Sequence, residues 1–185
     1  GSGSGGLNPP PGAEALAAFG LGNVACSVTG HAIVWGVGTG VDTVSSQANG
    51  RGRLDVVGRT FVRAIAILWA TAWAPGSAMW WKSGTILRAV GVDGDTAARV
   101  ERFSRIRIPG LFLQCVTCVL LKTMLAMKRS RRVAALSVCT TPLKFLAPWW
   151  AIRKFRNLEG AAIGLTCVDI GTFSMYAVGF ATSTA

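Results

Sequence analysis

Ala64–Trp81 reads AIAILWATAWAPGSAMWW, eighteen residues in succession without a charge. Wound as an α-helix it spans about 27 Å, close to the roughly 30 Å of a hydrocarbon core. Similar apolar runs cover Ala15–Val41, Ile108–Met127, Val133–Ile152 and Gly160–Ala185. With their flanks they predict spans at 15–49, 56–81, 102–127, 132–153 and 160–184. The expected fold is an all-α membrane protein, a bundle of about five transmembrane helices over residues 14–185. Residues 1–13 form a flexible leader rich in glycine, serine and proline.

Composition agrees with a bilayer as solvent. Charged residues make up 15% of the 185-residue chain, against about 25% in soluble domains. The formal net charge of +11 could suggest nucleic acid, but the basic residues fall between the apolar runs. Arg51, Arg53 and Arg59 form one group, Lys128, Arg129, Arg131 and Arg132 a second, and Arg153, Lys154 and Arg156 a third. Connecting loops facing anionic headgroups account for them. The lipid bilayer is the expected partner, nucleic acid is not, and the localisation is integral and multipass. GSGSGGLNPPPG at the start has no apolar core and is no signal peptide. The odd number of spans and two abrupt ends suggest a piece of something larger.

Glycine is abundant and scattered through the spans. Gly36, Gly38 and Gly40, and Gly160 with Gly164, give the small-xxx-small spacing that lets membrane helices approach closely. Pro75, Pro142 and Pro148 interrupt spans and would bend them, whereas Pro109 is expected to open its helix.

The first span carries a polar stripe. His31, Trp35, Gly38 and Asp42 fall on one helical face, continued by Ser45, Ser46 and Asn49. Such a face turns toward partner helices or a wet cavity, so the stripe is either a pathway lining or a packing seam. Asp169 lies about nine residues into the last span, with Thr166, Thr172, Phe173 and Tyr176 on its side. A carboxylate there is a candidate cation or proton site, one half of a structural pair, or a group near a wet interface. Lys144, at matching depth in the preceding span, is the expected partner: an antiparallel hairpin places both about 12–14 Å from the shared turn. Pairing would keep Asp169 ionised and make it a poor proton carrier.

Enzymatic chemistry finds no support. Cys115 and Cys118 form a CxxC inside an apolar helix, not on a redox turn. With a single histidine there is no Cys/His metal set at recognised spacing, and no phosphate loop or catalytic triad can be argued. A thiol oxidoreductase is the remotest reading. No metal or organic cofactor is expected.

Four segments are recognisable in order. ALAAFGLGN (Ala15–Asn23), VDTVSSQANG (Val41–Gly50), IPGLFLQCVTCVLLKTMLAMKR (Ile108–Arg129) and LEGAAIG (Leu158–Gly164) resemble helices two, four and six, and the signature after helix two, of the multidrug and toxin extrusion (MATE) family. The resemblance implies helices two to six of a twelve-helix, two-lobed transporter, with the first helix and second lobe missing. It implies exchange of H⁺ or Na⁺ for small organic cations by alternating access. It carries over Asp42, Thr43, Gln47 and Gly50 as the signature at the cytoplasmic end of the first span. Asn49 departs from the aromatic often found there, and neither Asp169 nor Lys144 matches a fixed family charge. The signature's register also requires a short basic loop over 47–58, with the next span beginning between Leu54 and Phe61.

The family topology would put Arg51–Arg59 and Lys128–Arg132, with seven basic residues, in the cytoplasm. The opposite side, Lys82–Arg107 and Arg153–Arg156, carries nine, so the positive-inside rule lends no support. Two functions remain: a fragment of a cation-coupled drug antiporter, with His31, Asp42, Thr43, Gln47, Asp169 and Tyr176 along the pathway, or a small multipass interaction protein that oligomerises through its glycine faces.

Overall fold

The structure, a computed structural model, describes residues 13–155 and 158–184; the expected leader lies outside them except for Ala13, which begins the first helix. They form α1 (Ala13–Cys26), α2 (Ala32–Gly50), α3 (Leu54–Leu68), α4 (Ala74–Trp81), α5 (Ser83–Ala89), α6 (Gly94–Ala126), α7 (Ser130–Phe155) and α8 (Leu158–Thr184). The π-helical turn Ser27–His31 joins α1 to α2 as one rod, and Trp69–Trp73 joins α3 to α4 as another. Five long rods result. Four are long and apolar enough to cross a membrane: Ala17–Gly50, Leu54–Trp81, Gly94–Ala126 and Glu159–Thr182. The chain is an all-α membrane protein. Helix α7, expected as a fifth span, falls outside that set because Thr140, Thr141, Pro142, Lys144 and Pro148 dilute its apolar character.

The first rod stops at Gly50. Arg51–Arg53 turns the chain, with Gly52 at φ +70°, a conformation glycine adopts without a Cβ clash. Helix α3 then starts at Leu54, within the interval the signature requires. The third span departs more from expectation. It begins at Gly94, where Asp93 caps it by accepting from the Asp95 and Thr96 amides at 3.1 and 3.4 Å. The 82–107 stretch is thus no loop: it holds α5 and the first turns of a 33-residue helix about 50 Å long. Pro109 consequently lies inside α6 instead of opening it. Proline costs the helix one hydrogen bond there, to the carbonyl four residues back.

Helix α6 is the hub. It packs against the first and second rods, α5 and α8, while α7 reaches the bundle chiefly through α8. The main core gathers Val34, Leu68, Trp80, Phe103, Leu111 and Cys115 around it. Backbone proximity depends on particular glycines. A Cβ on Gly38 would lie 2.7 Å from Cys118 Sγ, and one on Gly164 would lie 2.7 Å from the Pro148 Cα. Gly160 is also buried, at the start of α8. Gly36 and Gly40 do not belong to a seam in this chain: nothing lies within 4 Å of where their Cβ atoms would be. The face of the first rod that meets α6 runs through Val34, Gly38, Val41 and Ser45, which leaves Gly36 and Gly40 on other sides of the helix.

These contacts set a sharp contrast. Gly164→Val forces a side chain into the α7–α8 backbone crossing and should cost about 1–3 kcal/mol, the range for overpacking. Gly36→Ala should leave stability unchanged or raise it by up to about 1 kcal/mol. Denaturant unfolding of the detergent-solubilised variants measures both. Equal losses would mean that the crossing at Gly164 is not a tight contact.

Candidate functional site

A cavity of about 290 Å³ opens between α2, α6, α7 and α8. Trp35, Gln114, Lys144, Asp169, Thr172 and Tyr176 contribute to its wall. Each polar group arrives on an otherwise apolar helix, where exposure to lipid would cost a few kcal/mol per ionised group. Facing inward is the cheaper arrangement for Asp169, Thr172 and Tyr176, whereas Lys144 on α7 stays exposed.

Asp169 does not take Lys144 as its ion-pair partner. Its Oδ2 accepts from Arg107 Nη1 at 2.5 Å, across the α6–α8 contact. The Arg107 side chain is 5% exposed and that of Asp169 18%. Gly110, one turn beyond Arg107, leaves the room that the carboxylate occupies. The expectation failed because Arg107 was counted with a loop. With α6 extended to Gly94, Arg107 sits in mid-helix, on the face that meets α8. Lys144 lines the same cavity, yet among the described residues it has no ion-pair partner.

Tyr176 is buried and shares a 2.9 Å hydrogen bond with Ser137, linking α8 to α7. Thr172 Oγ1 and Gln114 Oε1 are buried with no hydrogen-bond partner among the described residues. Asp169 and Tyr176 therefore belong to one site. The other expected pathway residues lie elsewhere. His31 stands edge-on to Trp80 with ring centroids 6.0 Å apart, its Nε2 buried with no hydrogen-bond partner among the described residues. Asp42 pairs with Lys122 at 3.5 Å, and the Lys122 ammonium lies 6.0 Å from the Trp35 ring centroid. Thr43 is exposed and donates to the Thr39 carbonyl at 3.1 Å. Gln47 is exposed near the end of α2. Asn49 donates to the Ala126 carbonyl at 3.0 Å and ties the end of α2 to the end of α6.

The stripe on the first rod is thus largely a packing face against α6: Gly38 meets Cys118 and Asp42 meets Lys122. Trp35 alone of its members reaches the cavity. Arg107, Lys122 and Gln114 were not singled out from sequence. Arg107 had one available signal, a basic residue two positions before a Pro-Gly pair at the head of an apolar run.

The cavity mixes polar and apolar side chains, most of them from helices long and apolar enough to cross a membrane. The MatE family model matches residues 6–150, and the chain belongs to that family. It is 28% identical over 141 residues to Protein DETOXIFICATION 14 of Arabidopsis thaliana, an alignment covering 76% of this chain and 29% of that protein. Against Protein DETOXIFICATION 36 of the same plant, identity is 26% over 144 residues, 78% and 28% of the two chains. An uncharacterized transporter of Schizosaccharomyces pombe is 33% identical over 91 residues, 49% of this chain and 17% of that one. The alignments thus span under a third of each relative's length. These likenesses support a transport role and a membrane location.

Breaking the buried pair on one side leaves a charge without a partner. Arg107→Met should cost about 3–5 kcal/mol, whereas the double variant Arg107→Met with Asp169→Leu should recover most of that. Unfolding in detergent tests it. A double variant no more stable than the single one would show that the charges are not the source of the loss.

Proposed function

We propose that this chain is one lobe of a cation-coupled antiporter that exports amphipathic organic cations, with H⁺ or Na⁺ as the coupling ion. The observation that supports it is the cavity at the α2–α6–α7–α8 junction, where a carboxylate, a tyrosine and a tryptophan share a partly open space of mixed polar and apolar lining. The cargo and the coupling are proposed on the strength of the family to which the chain belongs. Asp169 is not itself the coupling carboxylate in this reading. Paired with Arg107 at 2.5 Å, it anchors α6 to α8, and the binding of H⁺ or Na⁺ falls to groups in a second lobe.

Alternating access requires a partner lobe against which this one rocks. Proteoliposomes containing this chain alone should therefore show no gradient-driven efflux of ethidium. The longer gene product with about six further spans should show efflux that collapses when the pH or sodium gradient is dissipated. Efflux by the isolated chain, or efflux by the longer protein that ignores both gradients, would overturn the proposal.

A further inference from the structure

Three apolar rods end at one face of the bundle, at Gly50, Ala126 and Thr182, and the fourth starts there at Leu54. Cross-contacts hold these ends together. Asn49 donates to the Ala126 carbonyl at 3.0 Å, and Arg132 Nη1 donates to the Thr182 carbonyl at 3.3 Å. The turn between α6 and α7 carries Lys128, Arg129, Arg131 and Arg132 around Ser130. None of these cations has a carboxylate partner among the described residues. Asp55, in the first turn of α3, is already shared by Arg53 and Arg59 at 3.6 and 3.9 Å. The opposite face differs: there Arg102 and Arg105 pair with Glu159 and Glu101, while Arg153 and Lys154 lie over Trp149 and Trp150.

We infer that the α6–α7 turn is a binding site for the headgroup of a phospholipid bearing a phosphomonoester. Arg131 and Arg132 occupy the first turn of α7 and Arg129 precedes it, where the helix dipole disfavours cations and favours an anion. Arg129 is half-buried, and its Nη1 is buried with no hydrogen-bond partner among the described residues. A guanidinium N–H so placed still calls for an acceptor. The Arg129 backbone is fixed on both sides. Its N–H donates to the Met124 carbonyl at 3.1 Å, and its carbonyl accepts from the Arg132 and Val133 amides at 3.1 and 3.2 Å.

Charge and position select the ligand. Arginine forks take phosphate oxygens two at a time. A phosphomonoester carries roughly −1.5 to −2 charge at pH 7, more than the single charge of a diester, and the cluster holds no internal counter-charge. The turn follows directly on the end of one apolar rod and is bonded to the end of another, which sets it at headgroup height. A phosphate anchored in the bilayer is therefore already concentrated beside it, whereas a free phosphate is not. The site is separate from the α2–α6–α7–α8 cavity, and the inference does not depend on the transport cycle.

Equilibrium binding of dioctanoyl phosphatidate to the 185-residue chain in a neutral detergent tests it. Phosphatidate should bind at least about tenfold tighter than dioctanoyl phosphatidylcholine or glycerol 3-phosphate, and several-fold tighter than dioctanoyl phosphatidylglycerol. The double variant Lys128→Gln with Arg131→Gln, at two exposed positions, should lower phosphatidate affinity about tenfold or more. Lys82→Gln with Arg88→Gln, exposed at the opposite face, should leave it within about twofold. Arg129→Lys, which keeps the charge and loses the fork, should weaken binding several-fold. That variant decides the matter if the double variant loses its helical circular-dichroism spectrum. No binding of phosphatidate, equal binding of phosphatidylcholine, or equal losses from the two double variants would overturn the site. Glycerol 3-phosphate binding as tightly as phosphatidate would replace the lipid by a soluble phosphate, and equal affinity for phosphatidylglycerol would remove the phosphomonoester. None of these results bears on gradient-driven efflux by the longer protein.

Discussion

Arg107 and Asp169 place two opposite charges inside a bundle whose other buried contacts are mostly apolar, and much of the arrangement follows from that. Neither ion can face lipid cheaply, and neither can be left alone in the interior. The pair therefore fixes which face of α6 meets which face of α8, and it fixes their sliding register to within a hydrogen bond. Thr166 adds a second tie to the same contact by donating to the Ile106 carbonyl at 3.2 Å. Once α8 is set, α7 follows, because α7 reaches the bundle mainly through α8. The cavity is what remains between these helices and the first rod. Its polar lining sits beside the ion pair because α8 supplies both, with Asp169, Thr172 and Tyr176 on one inward face.

Close approach does the complementary work on the apolar side. Hydrophobic burial contributes little between helices that have lipid as the alternative, so packing depends on how near backbones come. Gly38 against Cys118 and Gly164 against Pro148 are such points. The thiol of Cys118 also donates to the Val34 carbonyl at 3.7 Å, so the first rod is both packed and weakly bonded to α6 there. Aromatic contacts complete the other side of the hub: Trp69 stacks on Phe112 with centroids 4.6 Å apart, and Trp73 meets the same ring edge-on at 5.5 Å. The wider π-helical turn of Trp69–Trp73 brings both indoles to one phenylalanine. The CxxC has a structural use, and no redox chemistry is needed to explain its burial.

Much of the fold was legible because lipid-facing helices must be long and apolar, a pattern that composition alone reveals. The Gly50 boundary was readable from the polar signature and the glycine and arginine that follow it. The α6 start was not, since its first turns are amphipathic and charged: Arg99, Glu101, Arg102 and Arg105 look like a loop to any hydropathy argument. The arginines are exposed and Glu101 packs against Gly84 of α5; Glu101 pairs with Arg105, Arg102 with Glu159 at 3.5 Å, and the Arg105 guanidinium lies 4.8 Å from the Trp81 ring centroid. That misreading concealed Arg107 and led directly to the wrong partner for Asp169. Depth along a hairpin, the argument for Lys144, gave the right cavity but not the right pair. Equal depth is necessary for contact, yet the azimuth around α8 decides which neighbour the carboxylate meets, and Arg107 of α6 is the cation within ion-pair distance among the described residues. The glycine seam failed similarly: spacing identified a stripe of small residues, while the packed face needed the neighbour's position, which selects Gly38 and leaves Gly36 and Gly40 open.

The family signature itself lies outside the cavity, and the geometry gives it a supporting role. Asp42 holds Lys122, whose ammonium lies over the face of Trp35, one of the cavity's walls. The carboxylate is 41% exposed, so the ion pair is worth little as stability, on the order of 0–1 kcal/mol. Its consequence is positional: it keeps a flexible lysine on the α2 side of α6, over the indole. Asn49 bonds the Ala126 carbonyl two turns further along, at the end of α6 where that carbonyl has no helical partner. Together the two contacts pin the last turns of the first rod to the last turns of α6. The other end of the rod is held as well: Phe19 stands edge-on to Phe103, and the Cys26 thiol donates to the Ser104 hydroxyl at 3.8 Å. The first rod is thus tied to α6 along its length, and Trp35 is carried as a fixed part of the wall.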